Sequence, residues 1–432
     1  MRKSSLVISR SSVILTKTGY KMTEIGEVPE EWDVEKISEL KQTMYYGVTA
    51  KATEEDTDLR LLRTTDIVNF NFKTENLPFC EITEKKSDLS KYFLKKGDIV
   101  VARAGTVGIS VLVDNDLNDA IFGSYLIKIV FNHEKVFMKF IHYYFQSQLY
   151  WNNLSSAQGS TIKNINLPFL NSLMMPLPPL PEQQKIAEIL STADEAIQKV
   201  NEQIALTQQL KKGMMQELLT RGIGHTKFKE TEIGEIPEEW DLKPFGEILQ
   251  IRKRKNRGKL EKLYTIPMDL IPENGTYCEY RAVVSNEIIP PTYCESGDVL
   301  LPKITPSVEN GKQGIVPNLP TGHAFATSEV YPIVAENTLT NLFTFYLLKM
   351  DLFRKPLINS MVGTTGRQRV PKDSLFNLMF PVPTITEQNR ITEILSSVDG
   401  ELNLLDQKRQ YMETIKKGIM EDLLTGKVRV KV

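Results

Sequence analysis

Arg252, Lys253, Arg254, Lys255 and Arg257 form one basic run, and the chemistry open to it is phosphate binding. Clustered cations displace counterions from a polyanion and make its affinity salt-dependent; a solvated loop is the alternative reading. A second group lies in Gly363-Thr-Thr-Gly-Arg-Gln-Arg369, where Thr364, Arg367, Gln368 and Arg369 stand together. Arg can give two bonds to one guanine edge, and Gln can do the same at adenine. Upstream, Gln158-Gly-Ser-Thr-Ile-Lys-Asn164 offers Ser160, Thr161, Lys163 and Asn164 at the matching place. A third pair of loops follows strand-like runs. In Arg103-Ala-Gly-Thr-Val-Gly108, glycines permit a tight loop that brings N–H groups toward a phosphate, with Arg103 and Thr106 beside it. Its counterpart, Pro302-Lys-Ile-Thr-Pro306, supplies Lys303. The place corresponding to the basic run is aromatic and polar, Met44 to Lys51, with Tyr45, Tyr46, Thr49 and Lys51. Tyrosines there either contact sugar and phosphate or belong to the core.

Catalytic signatures are missing from the sequence. It has no P-loop, no strand-linked GxGxxG, no GxSxG and no metal-ligand spacing among its four histidines. Asn76-Leu-Pro-Phe79 and Asn166-Leu-Pro-Phe169 imperfectly resemble the loop with which adenine methyltransferases hold their target amino group. Both lack its first proline, so they read as a loop or the start of a helix. Cys80, Cys278 and Cys294 show no CxxC and fit a reducing cytoplasm. The net charge of −1 requires that any polyanion-binding surface be built by segregating charge. No apolar stretch reaches the roughly 18 residues of a membrane span. Residues 1–22 read as a tail.

The loops recur because the chain repeats itself. Thr23–Asp33 (TEIGEVPEEWD) returns at Thr231–Asp241 (TEIGEIPEEWD). Likewise EQQKIAEIL from Glu182 returns as EQNRITEIL from Glu387, and KKGMMQELLT from Lys211 as KKGIMEDLLT from Lys416. Each repeat holds an insert of about 150 residues, long enough for a domain of its own. Runs such as DIVVA from Asp98, YLIKIVF from Tyr125 and DVLL from Asp298 predict strands, and Val136–Gln148 a helix, with a counterpart near Thr338–Phe353. Each insert is therefore expected to be mixed α/β. After the prolines at 176–181 and 381–383, Ile186, Leu190, Ala193, Ile197, Val200 and Ile204 predict a long amphipathic helix. Leu210, Met214 and Leu218 extend its stripe. Ile391, Leu395, Val398, Leu402 and Leu405, then Ile415, Ile419 and Leu423, repeat it. A helix about 60 Å long needs a partner along that stripe. The other copy, antiparallel and related by a pseudo-twofold, is the obvious one, and pairing between chains is the alternative. Gly213 and Gly418 inside the helices read as kinks or as points of close backbone approach, the recurrence favouring the second. The expected division is a tail (1–22), two inserts with their opening phrases (23–178 and 224–383) and two helical segments (179–223 and 384–432).

This ordered set of phrases resembles the DNA-specificity subunit of type I restriction–modification enzymes. The resemblance rests on TEIGEIPEEW, the Gly-Asp strand leading to R-x-G-T-V-G, the GST turn, LPPLPEQ and KKGIMEDLLTGKV, and covers Thr23 to Val432. The second half departs from it at PKITPSVENG and PVPTITEQ. The resemblance implies an α/β (α+β) fold: two mixed α/β target-recognition domains joined by two long antiparallel coiled-coil helices. It implies that each domain reads half of a bipartite double-stranded DNA target and that the helices set the spacing. Two modification subunits would bring S-adenosylmethionine and adenine methylation. Restriction subunits would bring ATP, Mg and cleavage. The chain itself would hold no cofactor and catalyse nothing. A helical scaffold with protein-binding inserts and a stand-alone DNA methyltransferase are the competing classes.

Overall fold

The structure is a computed structural model that describes residues 5–9, 12–16, 18–82, 89–158, 164–253, 263–283, 290–335, 338–364 and 366–431. The chain forms two compact units, and neither is a simple half. One consists of residues 1–200 with 408–432, the other of residues 201–407.

In the first unit, the repeated opening phrase makes a hairpin, Tyr20–Thr23 against Gly26–Pro29, which delivers Trp32 into the core. Strand formation thus begins inside the stretch read as a tail, where Ser5–Ser9 also pairs with Ser12–Thr16. Asp33–Lys36 then pairs antiparallel with Met174–Leu177, so the insert leaves and returns at one place. Within the insert, a four-stranded antiparallel sheet runs in the order Ser110–Leu112, Ile99–Ala102, Leu126–Phe131, Lys41–Tyr46. A five-stranded mixed sheet runs Phe93–Leu94, Leu117–Phe122, Arg60–Leu62, Phe79–Ile82, Ala50–Thr53. The strand Ile99–Ala102 of the DIVVA run is apolar throughout because it is covered on both sides. Ile99 and Val101 face the helices, while Val100 and Ala102 face the second sheet.

The helix expected at Val136–Gln148 is two helices, Met138–Tyr144 and Gln148–Gln158. Ser147 divides them: its buried hydroxyl donates to Tyr144 O (2.7 Å) and accepts from Tyr150 N (3.2 Å), capping the second. Its counterpart likewise divides, into Asn341–Lys349 and Asp351–Asn359, at the extended residue Met350.

The second unit repeats the plan. Phe228–Thr231 pairs with Gly234–Pro237, and Asp241–Pro244 with Met379–Val382. One sheet runs Leu249–Ile251, Val330–Ala335, Val299–Pro302, Gly314–Ile315. The other runs Arg281–Ala282, Tyr264–Ile266, His323–Ala326, Thr292–Glu295.

The long helices span Leu180–Thr220 and Ile385–Leu424. Each unit holds the start of one and the end of the other, running antiparallel. In the first, Ile186, Ala187 and Leu190 share a core with Met420, Leu423 and Leu424. In the second, Ile391 and Leu395 share one with Leu219, and Met214 and Met215 pack on its edge. Two stripe positions differ from expectation: Leu210 is 58% exposed and Ile415 is 42% exposed. A β-carbon added at Gly213 or Gly418 would meet nothing within 4 Å, so neither glycine marks a backbone crossing among the described residues. The helix surface there faces open space.

The repeated words are pins. Trp32 Nε1 donates to Glu182 (2.9 Å), and Trp240 Nε1 donates to Glu387 (2.9 Å). Buried Gln183 accepts from Phe137 N and donates to Pro178 O. Gln388 accepts from Thr340 N and donates to Pro383 O. Farther along, Tyr143 donates to Asp194 (2.8 Å), which also pairs with Lys416 (2.6 Å). Tyr346 donates to Asp399 (2.7 Å), which pairs with Lys211 (2.5 Å).

Candidate nucleic-acid interface

In the first unit, three of the loops singled out by sequence meet at one strand end. Arg103 follows Ile99–Ala102, Tyr46 ends Lys41–Tyr46, and Asn164 precedes the helix Leu167–Ser172. The Arg103 guanidinium lies over the Tyr46 ring, 4.6 Å from its centroid, and its Nε donates to Asn164 Oδ1 (3.2 Å). Backbone bonds fix the junction: Ile165 N donates to Arg103 O, and Arg103 N to Tyr125 O, both at 2.9 Å. Tyr46 OH accepts from Leu167 N (3.2 Å). The result is an Arg held over an aromatic face, its Nε engaged by Asn164 before any ligand arrives.

The glycine loop is built differently from the expected phosphate cradle. Gly108 has φ +90° and its N–H donates to Ala102 O. A β-carbon there would sit 2.6 Å from Leu154 and 2.9 Å from Trp151, so the glycine serves packing against a helix. Thr106 is exposed on the loop. Tyr45 points to the opposite face of its strand, packing on the core between the sheets, with Lys91 over its ring. Lys51 lies in the second sheet, opposite Glu81, and exposed Thr49 immediately precedes that strand. Ser160, Thr161 and Lys163 lie outside the described residues.

The second unit has the equivalent junction with other chemistry. Lys303 follows Val299–Pro302, its N–H donates to Glu329 O (3.0 Å), and its carbonyl accepts from Val370 N (2.8 Å). Its ammonium lies 5.0 Å from the Tyr331 ring centroid, where burial pushes its pKa down. The hairpin Val362–Thr364/Arg367–Arg369 joins this loop through Thr305 N to Gln368 O and Gln368 N to Thr305 Oγ1, both 3.1 Å. Arg369 Nε and Nη2 each donate to the Glu329 carboxylate at 2.9 Å. Thr364 and Arg367 are exposed on the same hairpin. Sequence reading missed Tyr125, Glu329 and Tyr331. A faint signal was present: Ser124-Tyr125-Leu126 and Ser328-Glu329-Val330 open corresponding strands.

Arg252 corrects the reading of the basic run. Its Nε and Nη2 bind Asp298 at 2.5 and 2.6 Å, and Nη1 pairs with Glu295 at 2.7 Å. Burial pushes the Asp298 carboxyl up, and the Arg252 guanidinium pulls it back. Lys128 serves Asp98 in the same way in the first unit (3.1 Å). Arg252 is thus a structural cation, spent on a buried carboxylate that ends a turn. Arg252→Ala is expected to cost about 3 kcal/mol in urea unfolding, because Asp298 is left buried and unpaired. A phosphate-contacting Arg252 would instead leave stability unchanged. Lys253 is exposed; Arg254, Lys255 and Arg257 lie outside the described residues.

Asn166-Leu-Pro-Phe169 is the start of a helix: Asn166 Oδ1 accepts from Phe169 N (2.9 Å) and Pro168 occupies the first turn. Asn76-Leu-Pro-Phe79 leads into a strand. Among the described residues no group of three or more His, Cys, Asp or Glu could hold a metal ion, and no helix is long and apolar enough to cross a membrane.

Two equivalent mixed α/β units, each presenting junction loops of different chemistry from a shared frame, define a duplicated recognition protein. The chain belongs to the family described as type I restriction modification DNA specificity domain, matched at residues 29–208 and again at 237–414. It is 28% identical to the putative type I restriction enzyme MjaX specificity subunit of Methanocaldococcus jannaschii, over 95% of this chain and 97% of that one. The MjaVIII specificity subunit of the same organism is 31% identical over 64% of this chain and 67% of its own. Of solved structures, a chain from work on complex assembly and conformational transition of the type I R-M system superposes with TM-score 0.58 at 15% identity, covering 93% of this chain and 99% of that one. The S subunit of a type I restriction–modification system from M. genitalium gives 0.50 at 17%, covering 91% and 96%. At those identities the likeness is one of fold.

Proposed function

We propose that each unit reads one half of a bipartite double-stranded DNA target and that the long helices fix the separation of the halves. The observation that carries this is the pair of equivalent junctions with unlike side chains: Arg103, Tyr46 and Asn164 in one, Lys303, Gln368 and Arg369 in the other. A frame that repeats while its junction chemistry changes suits two different base sequences read in the same manner. Two linked readers couple their affinities through effective concentration, and only for half-sites at matching spacing.

In this reading the frame and the exposed parts of the helices dock two modification subunits. Those subunits contribute S-adenosylmethionine and methylate adenine. Restriction subunits add ATP- and Mg-dependent translocation and cleavage. The chain itself holds no cofactor, catalyses nothing and works beside DNA in the cytoplasm.

The purified chain is expected to bind DNA weakly and to transfer no methyl group. With its modification subunit it should methylate adenines within a two-part target. Methyl transfer by the chain alone, measured with labelled S-adenosylmethionine, would overturn the assignment, and binding that does not weaken with salt would count against a DNA ligand.

A further inference from the structure

We infer that Glu329 and Arg369 form a buttressed guanine reader in the second unit, with Glu329 as its positioning residue; this rests on the DNA-reading function proposed above. The two residues come from different segments, Glu329 from the turn before Val330–Ala335 and Arg369 from the hairpin that ends at it. The pair is bidentate, through Nε and Nη2 to both carboxylate oxygens. That fixes the guanidinium plane and engages one edge of its fork. The end of the fork, Nη1 and the second proton of Nη2, points away from Glu329. This end-on pair of donors matches guanine O6 and N7.

Charge argues for a base rather than a phosphate. A carboxylate on a phosphate-facing surface is repelled, and an arginine neutralised by it adds little to polyanion attraction. Glu329 is held below the usual carboxylate range by Arg369, so it keeps its charge at neutral pH. Arg369 is 53% exposed, which leaves it reachable, and Lys303 and Tyr331 close the inner side of the junction. The corresponding backbone position in the first unit is Tyr125, 64% exposed, whose carbonyl accepts from Arg103 N as Glu329 O accepts from Lys303 N. An aromatic at one position and a carboxylate at the other give the two units different reading chemistry at the same point.

The test uses the full chain reconstituted with its modification subunit. Methylated adenines are mapped, and DNA affinity is measured against salt, for the wild type, Glu329→Ala, Glu329→Gln and Arg369→Gln. All three variants should lose discrimination at one guanine of one half-site, by roughly ten- to a hundred-fold. The other half-site and the spacing should be unchanged. Glu329→Ala should also bind non-target DNA more tightly and raise the salt slope by about one, since the freed arginine can reach a phosphate. Arg369→Gln should show no such rise. Because the pair is at the surface, the melting temperatures of the variants should stay close to wild type. Unaltered discrimination at every position, or uniform weakening across all sequences, would overturn the inference while leaving the two-part reading intact. A wild-type pattern with no two-part target would overturn both.

Discussion

Glu182→Ala is expected to cost the first unit about 2–3 kcal/mol, the cost of leaving a buried donor without its acceptor together with the loss of one of the two carboxylates of an exposed arginine. Glu182 is 2% exposed in the first turn of its helix. One oxygen accepts the Trp32 indole N–H, and both oxygens take the Arg429 guanidinium at 2.7 and 2.9 Å. Alanine leaves a buried indole N–H and part of a guanidinium without partners, and it detaches the opening phrase, the helix start and residues 408–432 from one another. Glu182→Gln keeps an acceptor for Trp32 and should cost less, about 1–2 kcal/mol. Urea unfolding followed by Trp fluorescence measures both. A loss below 1 kcal/mol for the alanine variant would show that the pin holds nothing. In the second unit Glu387 has His225 where Glu182 has Arg429, at 2.8 Å, beside the same tryptophan bond.

Replacing the first insert with one from another specificity subunit should change one half of the DNA target completely and the other half not at all. The two ends of the insert meet across one antiparallel ladder, in which Lys36 faces Met174 and Asp33 faces Leu177. Cuts at Met44 and Pro176 would fall inside the strands Lys41–Tyr46 and Met174–Leu177. Cutting after Lys36 and before Met174 keeps the ladder whole, along with Trp32, Glu182 and Gln183. The incoming insert must still supply a tyrosine to meet Asp194 and a backbone N–H for Gln183. The second insert supplies both of the corresponding groups, Tyr346 and Thr340 N. Mapping methylated adenines with the modification subunit present reads the outcome. Change in both halves would mean the inserts are not independent readers.

The duplication, the two long helices and the mixed α/β inserts were legible because they are written locally, as repeated words and as periods of 3.6 and 2 residues. What escaped is written in pairs distant along the chain. Arg252 looked like a phosphate contact because its neighbours are basic, yet Asp298, 46 residues on, takes its charge. Glu329 was invisible because its meaning depends on Arg369, 40 residues away. Leu210 and Ile415 obey the helical period and are nonetheless exposed, since period records which face a residue occupies and not whether anything covers it. Gly213 and Gly418 misled for the same reason. The junction residues Arg103, Tyr46, Asn164, Lys303, Gln368 and Arg369 were found because corresponding loops could be compared between the copies.

The crosswise sharing of helices also imposes an order on biosynthesis. The second unit is one continuous segment, residues 201–407, and can close as soon as it leaves the ribosome. The first unit waits for residues 408–432. At ordinary elongation rates that delay is on the order of ten to fifty seconds. For that interval Ile186, Ala187 and Leu190 lack Met420, Leu423 and Leu424. The half made first is therefore finished last, and a stop codon introduced between residues 408 and 432 would injure the unit whose other residues, 1–200, are encoded far upstream.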